Sequence, residues 1–183
     1  KLTLLLLIPR ILATVKKEQE VINNFINANK DVIGVISDNR FGVRSKVVPS
    51  IYITHQVNVL SGFTTVLTSK VHQKIINKFD QCWIPDHKNG ELSGRLSKIE
   101  NSKYKFIGAL SRFLLSKELE QKINEAEIVI CRSGYSSILD LYTLEKKVFF
   151  IPTKNQPEQE YLAKYLEQKG IAPFANLEDF NKK

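Results

Sequence analysis

Methionine is missing from all 183 residues, position 1 included. That absence leads one to expect a fragment, or a chain from which some residues of the natural protein are missing. Cysteine is scarce: Cys82 and Cys131 are the only two, each in an apolar strand-like run. They read as buried free thiols of a reducing compartment rather than a disulfide framework. The three histidines, His55, His72 and His87, are scattered, and no cluster of His, Cys and acidic residues has metal-ligand spacing. No metal and no cofactor is therefore expected. The most apolar stretch, Leu2–Val15, is broken by Pro9 and Arg10; it is too short to span a bilayer and has no small-residue cleavage site. A buried or interface-facing helix with a proline kink suits it better. Also absent are a P-loop, a GxGxxG turn and a nucleophile elbow, so no Ser/His/Asp triad can be assembled. Basic residues are not interleaved with aromatics, and no helix reads as a major-groove reader, which excludes nucleic acid as the expected partner. There is no low-complexity tract and no repeat of 20–50 residues.

Acidic charge is thin in the first part of the chain. Lys and Arg total 27 against 19 Asp and Glu, a net charge of +8. Residues 1–80 hold 11 basic and 5 acidic side chains, whereas residues 81–183 hold 16 and 14. The first half thus carries most of the attraction for an anionic partner, such as an anionic lipid surface or a phosphorylated substrate. With 43% hydrophobic residues, the chain can bury one sizeable core or two small ones.

Periodicity predicts a helix over residues 2–29, with Val21, Ile22, Phe25 and Ile26 at helical spacing. Short β-branched or apolar runs predict strands at Val32–Ser37, Val47–Ile53, Cys82–Pro85 and Lys105–Ile107, and a helix is expected over Val66–Phe79. Asp38–Gly42 and Thr54–Gln56 read as loops at strand carboxyl ends. The charged stretch Asp86–Ser102 reads as a long exposed loop. Together these elements predict an α/β fold with parallel sheets and functional loops on one edge. Two Rossmann-like lobes are expected, residues 1–110 and 111–183, with the break within Ile107–Leu114.

The segment Glu127–Tyr161 is the most telling. A buried run, Ile128–Cys131, breaks at Arg132-Ser133-Gly134; a helical pattern follows over Tyr135–Leu144, then an apolar run, Val148–Ile151, ends at Pro152. This is a βαβ unit, whose ligands bind at the strands' carboxyl edge. Ser133, Gly134, Ser136 and Ser137 would place N–H groups and hydroxyls at a helix N-terminus, where an anion is favoured. Arg132 could add charge, and Asp140, one turn into the helix, could accept from ribose hydroxyls. Plain N-capping by Ser133 accounts equally for the pattern. Further on, PTKNQPEQEY starts a helix at Pro157 and could direct Gln159 and Glu160 at a sugar; a solvated helix start is the alternative. On the other edge, His55 with Gln56, and Asp38 with Arg40, are candidates for a base or for substrate contacts, or for turn capping.

The motifs ICRSGYSSILDL and FFIPTKNQPEQEYLAKYLEQKG resemble the donor-binding region of GT-B glycosyltransferases. They are similar to the family 28-like group around the bacterial N-acetylglucosaminyltransferase of peptidoglycan-precursor synthesis. GVISDNRFGVRSKVVPSIYITHQ, KFDQCWIPD and YKFIGALSRF look like that group's acceptor lobe. The resemblance implies a nucleotide-diphosphate sugar donor, in all expectation a UDP-sugar, and an unknown, lipid-linked acceptor at the inner, cytoplasmic face of a membrane. The donor would be held by Arg132, Ser133, Gly134, Ser136, Ser137, Asp140, Gln159 and Glu160. Arg40 and Gln56 would lie on the acceptor side, and Asp38 and His55 are the candidate catalytic residues. The family's opening glycine-rich, His-containing loop would precede Lys1, and its first donor-lobe βαβ portion finds no room between about Phe113 and Asn124. An incomplete catalyst is expected. Transfer would need no metal, since helix N–H groups and nearby cations stabilise a departing diphosphate. A 2-epimerase-like enzyme, or a non-catalytic nucleotide-sugar or anionic-surface binder, are the competing readings.

Overall fold

The computed structural model describes residues 2–111, 123 and 125–180. The expected helical run beyond Ser111 lies outside the described residues. Helix α1 (Leu2–Ala28) runs through Pro9. Strands β1 (Val35–Asp38), β2 (Ser50–Ile53), β3 (Gln81–Ile84) and β4 (Tyr104–Phe106) form one parallel sheet in the order β1-β2-β3-β4. Helix α2 (Thr65–Ile76) lies between β2 and β3 in the chain. A second parallel sheet pairs β5 (Val129–Cys131) with β6 (Val148–Phe150), joined by α3 (Tyr135–Thr143); α4 (Pro157–Gln168) and the short α5 (Leu177–Phe180) follow. The expected α/β architecture with parallel sheets is what the chain adopts.

The reasons are local. In α3 the buried residues Tyr135, Ile138, Leu139 and Leu141 follow helical spacing, so one face of the helix is driven inward. In α4, Pro157 occupies the first helical turn, where its missing N–H costs nothing, and Glu158 and Glu160 sit where the helix dipole favours negative charge. That helix stops at Gly170, which takes the left-handed φ of +68° that glycine reaches without a Cβ clash. The strands ended within one to three residues of the expected bounds. Asp38, read as a loop residue, is the last residue of β1.

Two hydrophobic clusters result. Tyr52, Val57, Ile76, Phe79, Cys82, Ile84 and Tyr104 form the first. The second gathers Tyr135, Ile138, Leu139, Phe150, Leu162, Ala163, Leu166 and Ala172, and it also contains Leu92 and Leu96 from the loop after β3. That loop corrects an expectation. Far from being exposed, Asp86, Leu92, Ser93, Leu96 and Ser97 are fully buried. The Asp86 carboxylate accepts from the backbone N–H of His87 at 2.6 Å, Leu92 at 3.1 Å and Ser93 at 2.8 Å, and from the Ser93 hydroxyl. A buried carboxylate so satisfied curls the loop and turns Leu92 and Leu96, one helical turn apart, into the apolar interior. Both cysteines are free thiols, Cys82 buried and Cys131 half-buried, and burial pushes both thiol pKa values up, that of Cys82 to about 12. Each sheet also keeps an uncovered apolar position, with Ile36 of β1 60% and Ile130 of β5 55% exposed.

Candidate functional site

The carboxyl ends of both sheets carry the candidate residues, as expected of parallel strands. They are joined by contacts between segments far apart in the chain. Tyr135, the first residue of α3, donates its hydroxyl to the Pro85 carbonyl at 2.8 Å. Burial, reinforced by the charge of Asp86, drives that phenol's pKa well above its ordinary value. The His55 ring stacks on Tyr135, with centroids 4.0 Å apart and planes 13° from parallel. Its Nε2 lies 2.8 Å from Oε1 of Glu158 in the first turn of α4.

The turn before α3 is built differently from a plain capped helix. The N-cap residue is Gly134, with φ −73° and ψ 140°, and no side chain caps the helix. Ser133 is fully buried, and its hydroxyl donates to the Gln159 carbonyl at 2.8 Å, so it ties α4 to the turn instead of capping α3. Arg132 uses Nη1 to donate to the carbonyls of Ile151 at 3.0 Å and Pro152 at 3.2 Å, which fixes the end of β6 beside the turn. Ser136 is exposed and Ser137 half-buried. A Cβ built on Gly134 would meet no atom within 4 Å. Neither its backbone angles nor its packing calls for glycine, yet the N-terminus of α3 is open there.

Asp140 is placed on the inner face of α3. It is 2% exposed, and its Oδ1 accepts from the Ser111 hydroxyl at 2.8 Å. At that exposure the carboxylate is not presented to solvent. Gln159 and Glu160 shape the loop before α4: Gln159 Oε1 accepts from Thr153 N at 3.0 Å, and Glu160 Oε1 from Asn155 N at 2.8 Å. These bonds hold Asn155 in its left-handed conformation, φ 63°. Glu160 also borders an open cleft of about 950 Å³ between α2 and α4, lined among others by Asn58, Lys70, Arg95, Tyr161 and Lys164. Arg95 lies over the Tyr161 ring, 4.5 Å from its centroid, a cation–π contact.

On the first sheet, Asp38 is exposed and its Cα is in register with Ile53, two residues before His55. The two candidate catalytic residues thus share one sheet edge. Arg40 is turned to α1, where its Nε donates to Glu18 Oε1 at 3.0 Å. Gln56 donates its backbone N–H to Thr54 Oγ1 at 3.1 Å. The structure brings His55 up to the donor-side helices and leaves Arg40 apart from them. Sequence reasoning missed Glu158, Tyr135 and Asp86. The only signals were an acid in a helix's first turn and an Asp directly after a strand-ending proline.

The family model described as the glycosyltransferase family 28 C-terminal domain matches residues 93–181, just under half of the chain. A UDP-N-acetylglucosamine--N-acetylmuramyl-(pentapeptide) pyrophosphoryl-undecaprenol N-acetylglucosamine transferase of Mannheimia succiniciproducens is 33% identical over 94 residues, covering 49% of this chain and 26% of that protein. The transferase of the same name from Wigglesworthia glossinidia brevipalpis is 29% identical over 108 residues, covering 58% and 29%. The chain therefore spans between a quarter and a third of these relatives' length. Among the described residues, no helix is long and apolar enough to cross a membrane. The resemblance expected from the motifs is borne out, and over residues 93–181 this chain is similar to the C-terminal domain of the family 28 glycosyltransferases.

Proposed function

We propose that this chain is part of a glycosyltransferase that moves a sugar from a nucleotide-diphosphate donor, a UDP-sugar, to a lipid-linked acceptor. The observation that carries the donor site is Gly134: an uncapped N-cap position with ordinary backbone angles and open space where a side chain would sit. A helix start of this kind offers free N–H groups and a positive dipole end to an anion approaching bare backbone. Ser136 and Ser137 add hydroxyls, Arg132 adds charge nearby, and Ser133 with Gln159 fixes α4 against the turn. Gln159 and Glu160 start the helix that would face the sugar. Stabilisation of the leaving diphosphate by preorganised N–H groups is the main catalytic contribution of this lobe.

The acceptor would enter from the first sheet's edge, between Asp38, His55 and the cleft bordered by Lys70, Arg95 and Lys164. Those cations suit a phosphate-bearing acceptor. A basic first lobe, residues 1–110 apart from the loop of Leu92 and Leu96 that packs with the second sheet, would work at the cytoplasmic surface of an anionic membrane.

Gly134→Ala tests the donor site. An alanine there costs only a few tenths to about 1 kcal/mol as an N-cap residue, but its methyl group would occupy the phosphate position. UDP binding, measured by calorimetry on the full-length protein, should weaken at least tenfold while the thermal midpoint stays within a few degrees. Unchanged UDP affinity would refute the cradle. No UDP release from any UDP-sugar, despite donor binding, would sink the transferase reading and favour a non-catalytic binder.

A further inference from the structure

We propose that Glu158 is the positioning residue of His55: a carboxylate of one sheet's helix that fixes the tautomer of a histidine carried by the other sheet's loop. The catalytic meaning of this pair rests on the transferase reading above; the geometry of the pair does not. His55 Nε2 and Glu158 Oε1 are 2.8 Å apart, and the two side chains are 24% and 23% exposed. An ionised carboxylate only accepts, so in the neutral ring the proton sits on Nε2 and the Nδ1 lone pair is the ring's one acceptor site. The ring plane is fixed separately by the stack on Tyr135, whose hydroxyl is anchored on Pro85. From α4 the ring therefore faces Glu158 and from α3 it faces Tyr135; the charge of Asp86 bears on the Tyr135 phenol.

Two consequences follow from where these residues lie. Tyr135 adjoins Gly134, so the oriented imidazole rests against the residue next to the proposed phosphate position. Glu158 adjoins Gln159 in the same helical turn, so the group that orients the base belongs to the donor side. In the transfer step, Nδ1 takes the acceptor hydroxyl's proton as that oxygen bonds the sugar's anomeric carbon. The bond from that carbon to the diphosphate breaks, and its electron pair leaves on the phosphate oxygen. The imidazolium formed is stabilised by Glu158, as a second partner does for a general base. The base is correctly oriented only when the two sheets are docked.

The ring ¹⁵N shifts of His55 decide this, recorded on the basic side of the titration that those shifts themselves report, and assigned by their loss in His55→Asn. The expected result is a protonated Nε2 and an unprotonated Nδ1 in the wild type. Glu158→Gln, whose amide oxygen still accepts, should keep that pattern. Glu158→Ala should lose it, with the two nitrogen shifts converging, while the His72 signals stay in place as a control for folding. Transfer by the full-length protein should fall about tenfold or more in kcat for Glu158→Ala, with KM for the donor changed less. A wild-type His55 protonated on Nδ1, or a Glu158→Ala protein that keeps the Nε2–H form, overturns the assignment whatever the donor does. Absence of donor binding with the tautomer pattern intact overturns the transferase reading and leaves the pair standing.

Discussion

The two sheets are built on different terms. The first draws its core from its own strands and from α2, with Tyr52, Ile76, Phe79, Cys82 and Ile84 all buried between elements that succeed one another in the chain. The second, β5 and β6 with α3 and α4, completes its core with Leu92 and Leu96, which lie before β4 in the sequence. It borrows part of its interior from the first sheet's connecting loop. The lesson is that the boundary between the two units is a matter of packing and not of chain position. The family match beginning at residue 93, ahead of β4, fits the same picture. The link also has a functional side, since Tyr135 and Pro85, His55 and Glu158, and the Tyr161 hydroxyl accepting from Arg95 N at 2.8 Å all cross between the same partners.

Asp86→Ala should test this comparison most severely. It removes the acceptor of three backbone N–H groups and one hydroxyl in a fully buried loop. Stranding buried donors costs about 1–3 kcal/mol each, with incomplete additivity, so a loss of about 4 kcal/mol in urea denaturation is expected. A loss below about 1 kcal/mol would show that the loop does not depend on this carboxylate. Next in size is Leu96→Ala, expected to cost about 2–5 kcal/mol as a buried truncation. Its signature is regional: amide exchange should quicken in α3 and α4 more than in β1 and β2. The reverse distribution would dissolve the distinction between the two cores.

The smallest effect concerns pH. Burial raises the Cys82 thiol from about 9 to about 12, so the folded state disfavours the thiolate. Below pH 9 both states keep the proton and the contribution is fully present. As pH rises from about 9 towards 12, the unfolded chain ionises first and stability declines. Urea midpoints taken at pH 8 and pH 10.5 should fall in the wild type and fall less in Cys82→Ala; equal slopes would remove Cys82 as a cause. Iodoacetamide at pH 8 should label half-buried Cys131 before fully buried Cys82, since alkylation needs an accessible thiolate.

Much of this was legible in the residues. VIGVIS, VVPSIYI and CWIP read as strands because apolar and β-branched side chains leave a buried sheet as their natural place. YSSILDLYTL read as a helix because its apolar residues recur at three and four positions. The Ser133–Gly134 turn was legible as an anion-friendly helix start, though not that Ser133 would spend its hydroxyl on Gln159 while Gly134 stayed open. The stretch after Pro85 was misread. Asp86, Ser93 and Ser97 look like solvent-facing polarity, yet they bury by satisfying one another and the backbone, and the signal that could have warned of this was the pair Leu92 and Leu96, four residues apart.

The sequence by itself determined the class of fold, the order of the elements and the edge on which the candidate residues gather. Each of these follows from local periodicity and from the direction of parallel strands, which neighbouring residues specify. Only the tertiary structure decided what each polar group does. His55 meets Glu158 across 103 residues of chain, Asp140 turns inward to Ser111, and Asp86 organises a core for the other sheet. A polar side chain's role depends on which partner ends the cost of burying it, and that partner is set by how the sheets dock, which no local pattern records.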